Sequence, residues 1–193
     1  SCTPGMAPIS FGERALEKVK QRNSKVQSWF MDLNLVMGYW GGGTKRAYHH
    51  TAPVNALYGL HEALVMLREE GLENAWARHH RHHLALKAGL EGLGLELTVA
   101  EPERLPQLNP VAIPAGVDDG MVRSRLLSEY NLEIGAGLGA LAGKVWRIGL
   151  MGFSSRAENI LLCLGALEAV LADLGAAIET GASLSRVQQA LQA

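Results

Sequence analysis

The sequence predicts an α/β protein in two parts, a larger α/β region followed by a smaller α+β region. Two observations lead to this prediction. Short apolar runs of β type recur between longer segments whose apolar residues repeat with a helical period. In the second part, several β-type runs surround one helix and are followed by helices only. Gly71 breaks the pattern between two long helices, so we expect one domain over residues 1–70 and another over residues 71–193.

The first region begins with an apolar run, residues 5–11, that predicts a short strand. Residues 12–21 and 28–37 have helical periodicity, and the second of these helices should stop before the three glycines at 41–43. A third helix is predicted directly after Pro53, because proline has no N–H to satisfy in a first helical turn. Its expected apolar face comprises Val54, Leu57, His61 and Leu64.

The second region begins with a long predicted helix over residues 72–90. Its expected inward stripe comprises Leu72, Trp76, His79, His83, Leu86 and Leu90. Residues 95–99 and 110–115 are predicted strands, and residues 118–130 a helix between the β-type runs. Residues 132–139 and 144–152 are expected to form two further strands joined by a glycine-rich turn.

Two helices complete the predicted chain. Ser155 and Glu158 have the spacing of a capping box, in which both side chains satisfy backbone N–H groups at a helix start. The long helix that follows should bury Ile160, Leu164, Leu167, Leu171 and Leu174. The expected tail helix carries Leu184, Val187 and Leu191.

Composition excludes several classes of function. With 193 residues, of which 48% are hydrophobic, the chain can bury a substantial core. The formal net charge is -1 and no run of basic residues occurs, which argues against a nucleic-acid partner. Cys2 and Cys163 are too few for a disulfide framework, and we expect a cytoplasmic location. No membrane association is expected either, because Glu168 and Asp173 interrupt the most apolar segment and the N-terminus has no signal-peptide pattern.

Residues 79–83 read His-His-Arg-His-His, a pattern that raises the possibility of a metal site. His79 and His83 continue the apolar stripe of their helix, however, whereas His80 and His82 are expected to face away together with the neighbouring arginines. No nearby carboxylate completes a ligand set. We therefore predict no metal site, and a metal-binding module remains an alternative.

Residues 135–140 read Gly-Ala-Gly-Leu-Gly-Ala, which formally matches the G-x-G-x-x-A variant of a dinucleotide-binding fingerprint. That fingerprint should open a helix, and the residues that follow are of β type instead. A tight turn in which only glycine fits is the preferred interpretation. A dinucleotide-dependent oxidoreductase whose site depends on Gly137 is the other alternative.

Arg147 occupies the middle of an otherwise apolar predicted strand. Alternation sends Trp146, Ile148 and Leu150 to the core face and Arg147 to the opposite face, where Gly149 leaves space beside the guanidinium. A guanidinium in such a place requires an anion, and its planar fork suits a carboxylate. The residues alone leave open whether this anion is a ligand or an Asp or Glu of the protein.

Tyr48 and Thr51 flank two histidines between the glycine-rich run and the predicted helix start after Pro53. Hydroxyl donors beside a helix N-terminus suit a phosphate group. They also suit a hydrogen-bonded turn that caps the helix. The spacing alone does not decide between these interpretations.

Five motifs, in order along nearly the whole chain, carry a resemblance to a known family. They are "TPGMAPISF" at 3–11, "YHHTAPVNALYGLHEAL" at 48–64, "GLENAW" at 71–76, "GLG" at 137–139 and "GKVWRIGLMG" at 143–152. Together they resemble the C-terminal half of a class V, fold type I pyridoxal-phosphate aminotransferase of the alanine–glyoxylate and serine–pyruvate group. The fold implied is the end of the large cofactor-binding domain followed by the small C-terminal domain.

The resemblance implies a function and roles for three residues. Family members form homodimers that bind pyridoxal 5'-phosphate and move an amino group between alanine or serine and a 2-keto acid such as glyoxylate or pyruvate. By resemblance, Tyr48 and Thr51 reach across the dimer interface to the cofactor phosphate. Arg147 holds the substrate α-carboxylate.

The resemblance also implies that part of the site lies elsewhere. The family's Schiff-base lysine is expected just upstream of Ser1, and neither Lys45 nor Lys144 occupies its position. The residues that pair with and stack on the cofactor ring belong to the family's N-terminal half. We therefore expect this chain to require that half as a partner and to be inactive alone.

Overall fold

The computed structural model describes residues 4–40 and 47–192. Contacts between Cα atoms divide the chain into two units, one that ends at Leu64 and one that begins at Val65. The division falls inside a helix, α3, that spans Val54–Glu70. Each unit is described below by itself.

The first unit contains α1 (Glu13–Lys20), α2 (Leu33–Trp40) and the first part of α3. Residues 6–11 are not a strand, which corrects the prediction for residues 5–11. A strand requires a neighbour for its backbone groups, and no described residue pairs with this run. Helix α2 begins five residues later than predicted, because Asp32 caps it by accepting a hydrogen bond from Asn34 N at 3.0 Å.

The second unit contains the rest of the secondary structure. After Gly71, whose φ of 85° separates two helices, α4 spans Leu72–Gly92. Strand β1 (Leu108–Ala112), helix α5 (Asp119–Tyr130), strand β2 (Gly135–Ala136) and strand β3 (Val145–Gly149) follow. Helices α6 (Ala157–Asp173) and α7 (Ser183–Gln192) complete it. Among the described residues, no helix is long and apolar enough to cross a membrane.

The sheet has the order β1-β3-β2, and both pairs are antiparallel. Arg147 on the central strand lies opposite Pro110 of β1 and opposite Gly135 of β2. The predicted strand at residues 95–99 is reduced to a single bridge between Leu97 and Val111. The two-strand pairing around a glycine-rich turn is confirmed, although β2 is only two residues long.

The core of the second unit lies between the sheet and helices α4, α5, α6 and α7. The predicted seam of α6 is confirmed, with four of its five residues fully buried: Ile160, Leu164, Leu167 and Leu171. The α4 stripe is confirmed except at its beginning. Leu72 and Trp76 are exposed, whereas the other four predicted residues are buried: His79, His83, Leu86 and Leu90. The predicted apolar face of α3 is likewise largely exposed, including Val54, Leu57 and Leu64.

The predicted capping box at the start of α6 is wrong. Arg156, not Ser155, occupies the N-cap position, and no side chain caps this helix. The Ser155 side chain is fully buried and its hydroxyl lies 3.0 Å from Nδ1 of His82. The cap spacing in the sequence therefore coincides with a buried contact between α4 and the turn before α6, made by two residues that are 73 positions apart.

Candidate functional site

Arg147 lies on the face of β3 opposite the core, as alternation predicts. Its neighbours Trp146 and Ile148 are buried, whereas Arg147 itself is partly exposed. The guanidinium Nε donates a hydrogen bond to the backbone carbonyl of Ala136 on β2 at 2.7 Å. Strand pairing and this side-chain bond together fix the direction of the guanidinium.

No acidic side chain within residues 4–40 and 47–192 forms an ion pair with Arg147. The described residues also offer no hydrogen-bond acceptor to its terminal nitrogens Nη1 and Nη2. A structural salt bridge, one of the two interpretations left open by the sequence, thus has no partner in the part of the chain described here. The terminal fork is available for an external carboxylate.

The space beside the guanidinium comes from a different glycine than predicted. A Cβ atom on Gly135 would lie 3.3 Å from Nη2 of Arg147, so the absence of a side chain there admits the guanidinium. A Cβ atom on Gly149 would meet only Cε of Met151, at 3.9 Å. Cross-strand register, which the sequence does not reveal, brings Gly135 to this position.

The opposite face of β3 is anchored by its neighbour in sequence. The fully buried Trp146 donates its indole N–H to Oδ1 of Asp119 at 3.0 Å. Asp119 also binds Arg123 through two hydrogen bonds, and Arg123 lowers the pKa of this carboxyl below its usual range. The strand that carries Arg147 is therefore held through a charged pair at the start of α5.

Tyr48 and Thr51 are brought together in the first unit. Their hydroxyl groups are hydrogen bonded to each other, and both residues are exposed. They precede the first turn of α3, where Leu57 N donates to the carbonyl of Pro53 at 3.0 Å. Each hydroxyl has one proton, so both can donate to a phosphate oxygen once the bond between them is exchanged for that acceptor. Two exposed hydroxyls close to a helix N-terminus therefore fit the phosphate of the cofactor that the resemblance implies.

Aromatic packing holds this pair in place. His49 is buried and stacks on Trp29 with ring centroids 4.0 Å apart, while its Nε2 lies 3.2 Å from the Trp29 carbonyl. The Tyr39 ring makes edge contact with Tyr48 at 6.1 Å. His49, between Tyr48 and Thr51, is thus a structural support. The three glycines at 41–43, before which α2 was expected to stop, lie outside the described residues.

The histidines of α4 bind protein groups. His79 donates from Nδ1 to the carbonyl of Ala75 at 2.6 Å and accepts at Nε2 from the backbone N–H of Gly152 at 2.9 Å. His83 donates from Nδ1 to the side-chain carbonyl of Asn109 at 2.6 Å. Asn109 in turn donates to the carbonyl of Ile148 at 3.3 Å, so α4 supports the strand that carries Arg147.

His82 is also buried, which corrects the prediction that it faces away from the core. The helix packs against the β3–α6 turn on one side and against β1 on the other, so its buried face is wider than the predicted stripe. Arg78 binds the same turn, because it forms a two-bond ion pair with Glu70 and donates to the carbonyls of Gly152 and Ser155, both at 2.9 Å. The sequence showed no sign of this arrangement, since it joins segments more than 70 residues apart.

Neither alternative site is supported. No group of three or more metal-ligating side chains occurs among the described residues. The glycines at 135–139 form β2 and a tight turn, where a Cβ atom on Gly137 would collide with the carbonyl of Leu141. The interpretation as a turn that requires glycine agrees with this geometry.

We expect the stability of the chain to fall as the pH drops from 7.5 to 5.5. Burial lowers the pKa of His82 and of His83, with smaller contributions from the cations Arg81 and Arg104. Because the folded state then binds fewer protons than the unfolded state, stability is complete above the ordinary histidine pKa of about 6.5 and is lost below it. Each histidine contributes a slope of up to about 1.4 kcal/mol per pH unit.

Urea unfolding of the 193-residue chain at several pH values measures this slope. The exposed His80 provides the matched control, and His80→Gln should keep the slope of the wild type. A double variant, His82→Gln with His83→Gln, should be less stable at pH 7.5 and much less dependent on pH. A free energy of unfolding that stays constant over this interval in the wild type contradicts the expectation.

The chain is similar to known transaminases over most of its length. No protein-family model matches the chain. The chain is 38% identical over 202 residues to the (S)-ureidoglycine–glyoxylate transaminase of Bacillus subtilis (strain 168), an alignment that covers 95% of the chain and 48% of that protein. It is 41% identical to the alanine–glyoxylate aminotransferase of Felis catus, over 87% of the chain and 41% of that protein.

Solved structures agree with these relatives. The ureidoglycine–glyoxylate aminotransferase of Bacillus subtilis superposes on all of the chain with a TM-score of 0.94 and 40% identity, and the chain covers 49% of it. The alanine–glyoxylate aminotransferase of a Nostoc species has a TM-score of 0.79 and 51% identity over 84% of the chain and 42% of its own length. The chain thus spans about half the length of these proteins. The predicted mixed α/β fold is confirmed, and the chain is homologous to the C-terminal part of the alanine–glyoxylate and ureidoglycine–glyoxylate aminotransferases, which are class V pyridoxal-phosphate enzymes.

Proposed function

We propose that this chain is the C-terminal part of a pyridoxal-phosphate-dependent aminotransferase that moves an amino group between a small amino acid, alanine or serine, and a 2-keto acid, glyoxylate or pyruvate. The observation that carries the proposal is the guanidinium of Arg147, which has no acidic partner among the described residues. The relatives that share this fold bear names that include glyoxylate as a substrate.

Arg147 holds the carboxylate that every amino acid and every 2-keto acid carries. One residue can therefore orient both substrates of a transamination, because the enzyme binds them one after the other at the same site. A partly exposed guanidinium with its terminal nitrogens unpaired meets this requirement. The strand position supplies rigidity, because β3 pairs with a neighbour on each side.

Tyr48 and Thr51 donate hydrogen bonds to the phosphate of the cofactor. When it is bound, the cofactor supplies an electron sink that stabilises negative charge at the substrate Cα. Following the resemblance, we propose that these two hydroxyls serve the site of the other subunit in a homodimer. The aromatic support around His49 keeps them in position before a substrate arrives.

We further propose that the cofactor-binding lysine lies in a segment before Ser1 of the complete enzyme, by which we mean this chain together with that N-terminal segment. According to the resemblance, Lys144 does not occupy the position of that lysine. It lies just before β3, where its backbone carbonyl accepts a hydrogen bond from Ile113 N at 3.0 Å. Lys45 lies outside the described residues. A cytoplasmic location belongs to the same proposal and follows from the low cysteine content.

The isolated 193-residue chain tests this division of the site. Since it lacks the cofactor-binding lysine, borohydride reduction in the presence of pyridoxal phosphate should not label a unique lysine, as mass spectrometry of peptides would show. The chain alone should not transaminate alanine with glyoxylate. The complete enzyme, assayed in parallel, should do both. Robust turnover by the isolated chain would show that the proposed division is wrong.

A further inference from the structure

Both residues of β2 contact Arg147. Gly135 is the Cα partner of Arg147 in the β2–β3 register, and the carbonyl of Ala136 accepts a hydrogen bond from Nε at 2.7 Å. These two residues belong to the motif at 135–140, which matches a dinucleotide-binding fingerprint in sequence. The fold does not support a nucleotide site there. Their contacts with the guanidinium indicate that this motif positions Arg147.

The bond to Ala136 restricts how a carboxylate can bind. A guanidinium can bind a carboxylate side-on, through Nε and one terminal nitrogen, or end-on, through Nη1 and Nη2. The single proton on Nε already points to the carbonyl of Ala136. The described residues leave Nη1 and Nη2 without an acceptor. Only the end-on arrangement therefore gives the carboxylate two hydrogen bonds and keeps the bond from Nε to Ala136.

Gly135 keeps one end of that pair free. A Cβ atom at this position would lie 3.3 Å from Nη2 and 3.5 Å from Cζ of Arg147, which is close enough to force the guanidinium to move by a few tenths of an ångström. Bidentate binding loses strength with displacements of this size, because both hydrogen bonds depend on the same plane. On the other flank, Gly149 has no such contact with the guanidinium.

We propose that Gly135 and the carbonyl of Ala136 position Arg147 so that a substrate carboxylate binds end-on to Nη1 and Nη2. Gly135 is in this sense a positioning residue for substrate recognition. The inference rests on the proposed function, because it takes Arg147 as the carboxylate-binding residue. It adds the binding geometry and a second position at which affinity for all substrates can be changed.

The test compares Gly135→Ala with its matched control Gly149→Ala in the complete enzyme. Calorimetric titration with pyruvate gives a dissociation constant, and steady-state kinetics give KM and kcat for amino and keto substrates. Gly135→Ala should raise the pyruvate Kd and both KM values by about 5- to 10-fold, with kcat within about 2-fold of the wild type. Gly149→Ala should leave all of these values within about 2-fold, since its added methyl group meets only the far end of Met151.

A double variant separates positioning from a general change in structure. In an Arg147→Ala background, Gly135→Ala should not weaken pyruvate binding further, because the guanidinium it displaces is gone. Arg147→Lys provides a second variant that leaves β2 intact. It keeps the charge but has no fork for Ala136 to orient, so pyruvate binding should fall nearly as far as in Arg147→Ala.

The possible outcomes are distinct. Equal pyruvate affinity in Gly135→Ala and Gly149→Ala, or normal affinity in Arg147→Lys, overturns the positioning role of β2 while the proposed function stands. Normal pyruvate affinity in Arg147→Ala instead overturns the assignment of Arg147, and with it the proposed function of this site. An equal loss for Gly135→Ala with and without Arg147 shows that the glycine supports the fold only.

Discussion

Replacement of Arg147 with alanine should lower kcat/KM of the complete enzyme by about 30-fold to several hundred-fold, for amino and keto substrates alike. The change removes a charge-assisted fork whose contribution to transition-state binding is roughly 2 to 4 kcal/mol. Both substrates lose the same interaction because both carry the same carboxylate. The measurement is steady-state kinetics with alanine and with glyoxylate, each varied against a saturating partner.

The fold should tolerate this change. Arg147 is partly exposed and makes no ion pair within the described residues. Once its side chain is removed, the carbonyl of Ala136 can accept a hydrogen bond from water instead. Retention of the cofactor, read from its absorbance, should match the wild type. Arg125, which pairs with Glu129 on α5 and Asp173 on α6 rather than with a strand, is a matched control, and Arg125→Ala should have little effect on kcat/KM. An Arg147→Ala protein that unfolds would identify Arg147 as a structural residue, and one that folds with normal kinetics would show that the carboxylate assignment is wrong.

The sequence predicted those parts of the fold that depend on local pattern. Helix α6 is an example, because its apolar residues repeat over more than four turns and the period predicted four of its seven buried residues. Strand β3 is another, since alternation alone placed Trp146 and Arg147 on opposite faces. In both cases the relevant information lies within a few residues of the element.

The wrong predictions concern features that depend on residues distant in the sequence. Residues 6–11 have the composition of a strand, yet no described partner pairs with them, and residues 95–99 form one bridge instead of a ladder. Ser155 has the spacing of a cap, but its hydroxyl lies against His82 on another helix. Pairing and burial of this kind depend on tertiary contacts, which override local propensity.

In the candidate site, too, local features could be predicted from the sequence and contacts between distant residues could not. Tyr48 and Thr51 are three residues apart, so the sequence could predict that they lie close together, although it did not predict the hydrogen bond between them. The stacking of His49 on Trp29, twenty residues away, could not. Likewise, Gly149 was expected beside Arg147 because it is near in sequence, whereas the strand register places Gly135 there.

Removal of both hydroxyls, by Tyr48→Phe with Thr51→Ala, should weaken cofactor binding by at least roughly 100-fold. The change deletes two hydrogen bonds to a charged phosphate, each of which contributes about 1.5 to 3 kcal/mol. The aromatic ring of residue 48 remains, so its edge contact with Tyr39 is kept. Titration of pyridoxal phosphate into the cofactor-free complete enzyme measures the change, and the exposed Tyr58→Phe provides a matched control with unchanged affinity.

The intersubunit arrangement can be tested with hybrid dimers of the complete enzyme. One kind of subunit lacks the cofactor-binding lysine and keeps both hydroxyls, and the other kind keeps the lysine and carries Tyr48→Phe with Thr51→Ala. If the hydroxyls act across the interface, one of the two sites in each hybrid combines an intact lysine with intact hydroxyls. Normal cofactor affinity and activity should then return at that site, in proportion to the fraction of hybrids.

If the hydroxyls act within their own subunit, every site that has a lysine also has the weakened phosphate contacts. No mixing ratio can then restore high affinity, because exchange of subunits never brings the two intact parts together. Cofactor titration over a series of mixing ratios distinguishes the two arrangements without reliance on turnover. A series with no high-affinity component, from subunits shown to exchange, would require Tyr48 and Thr51 to be assigned to the site of their own subunit.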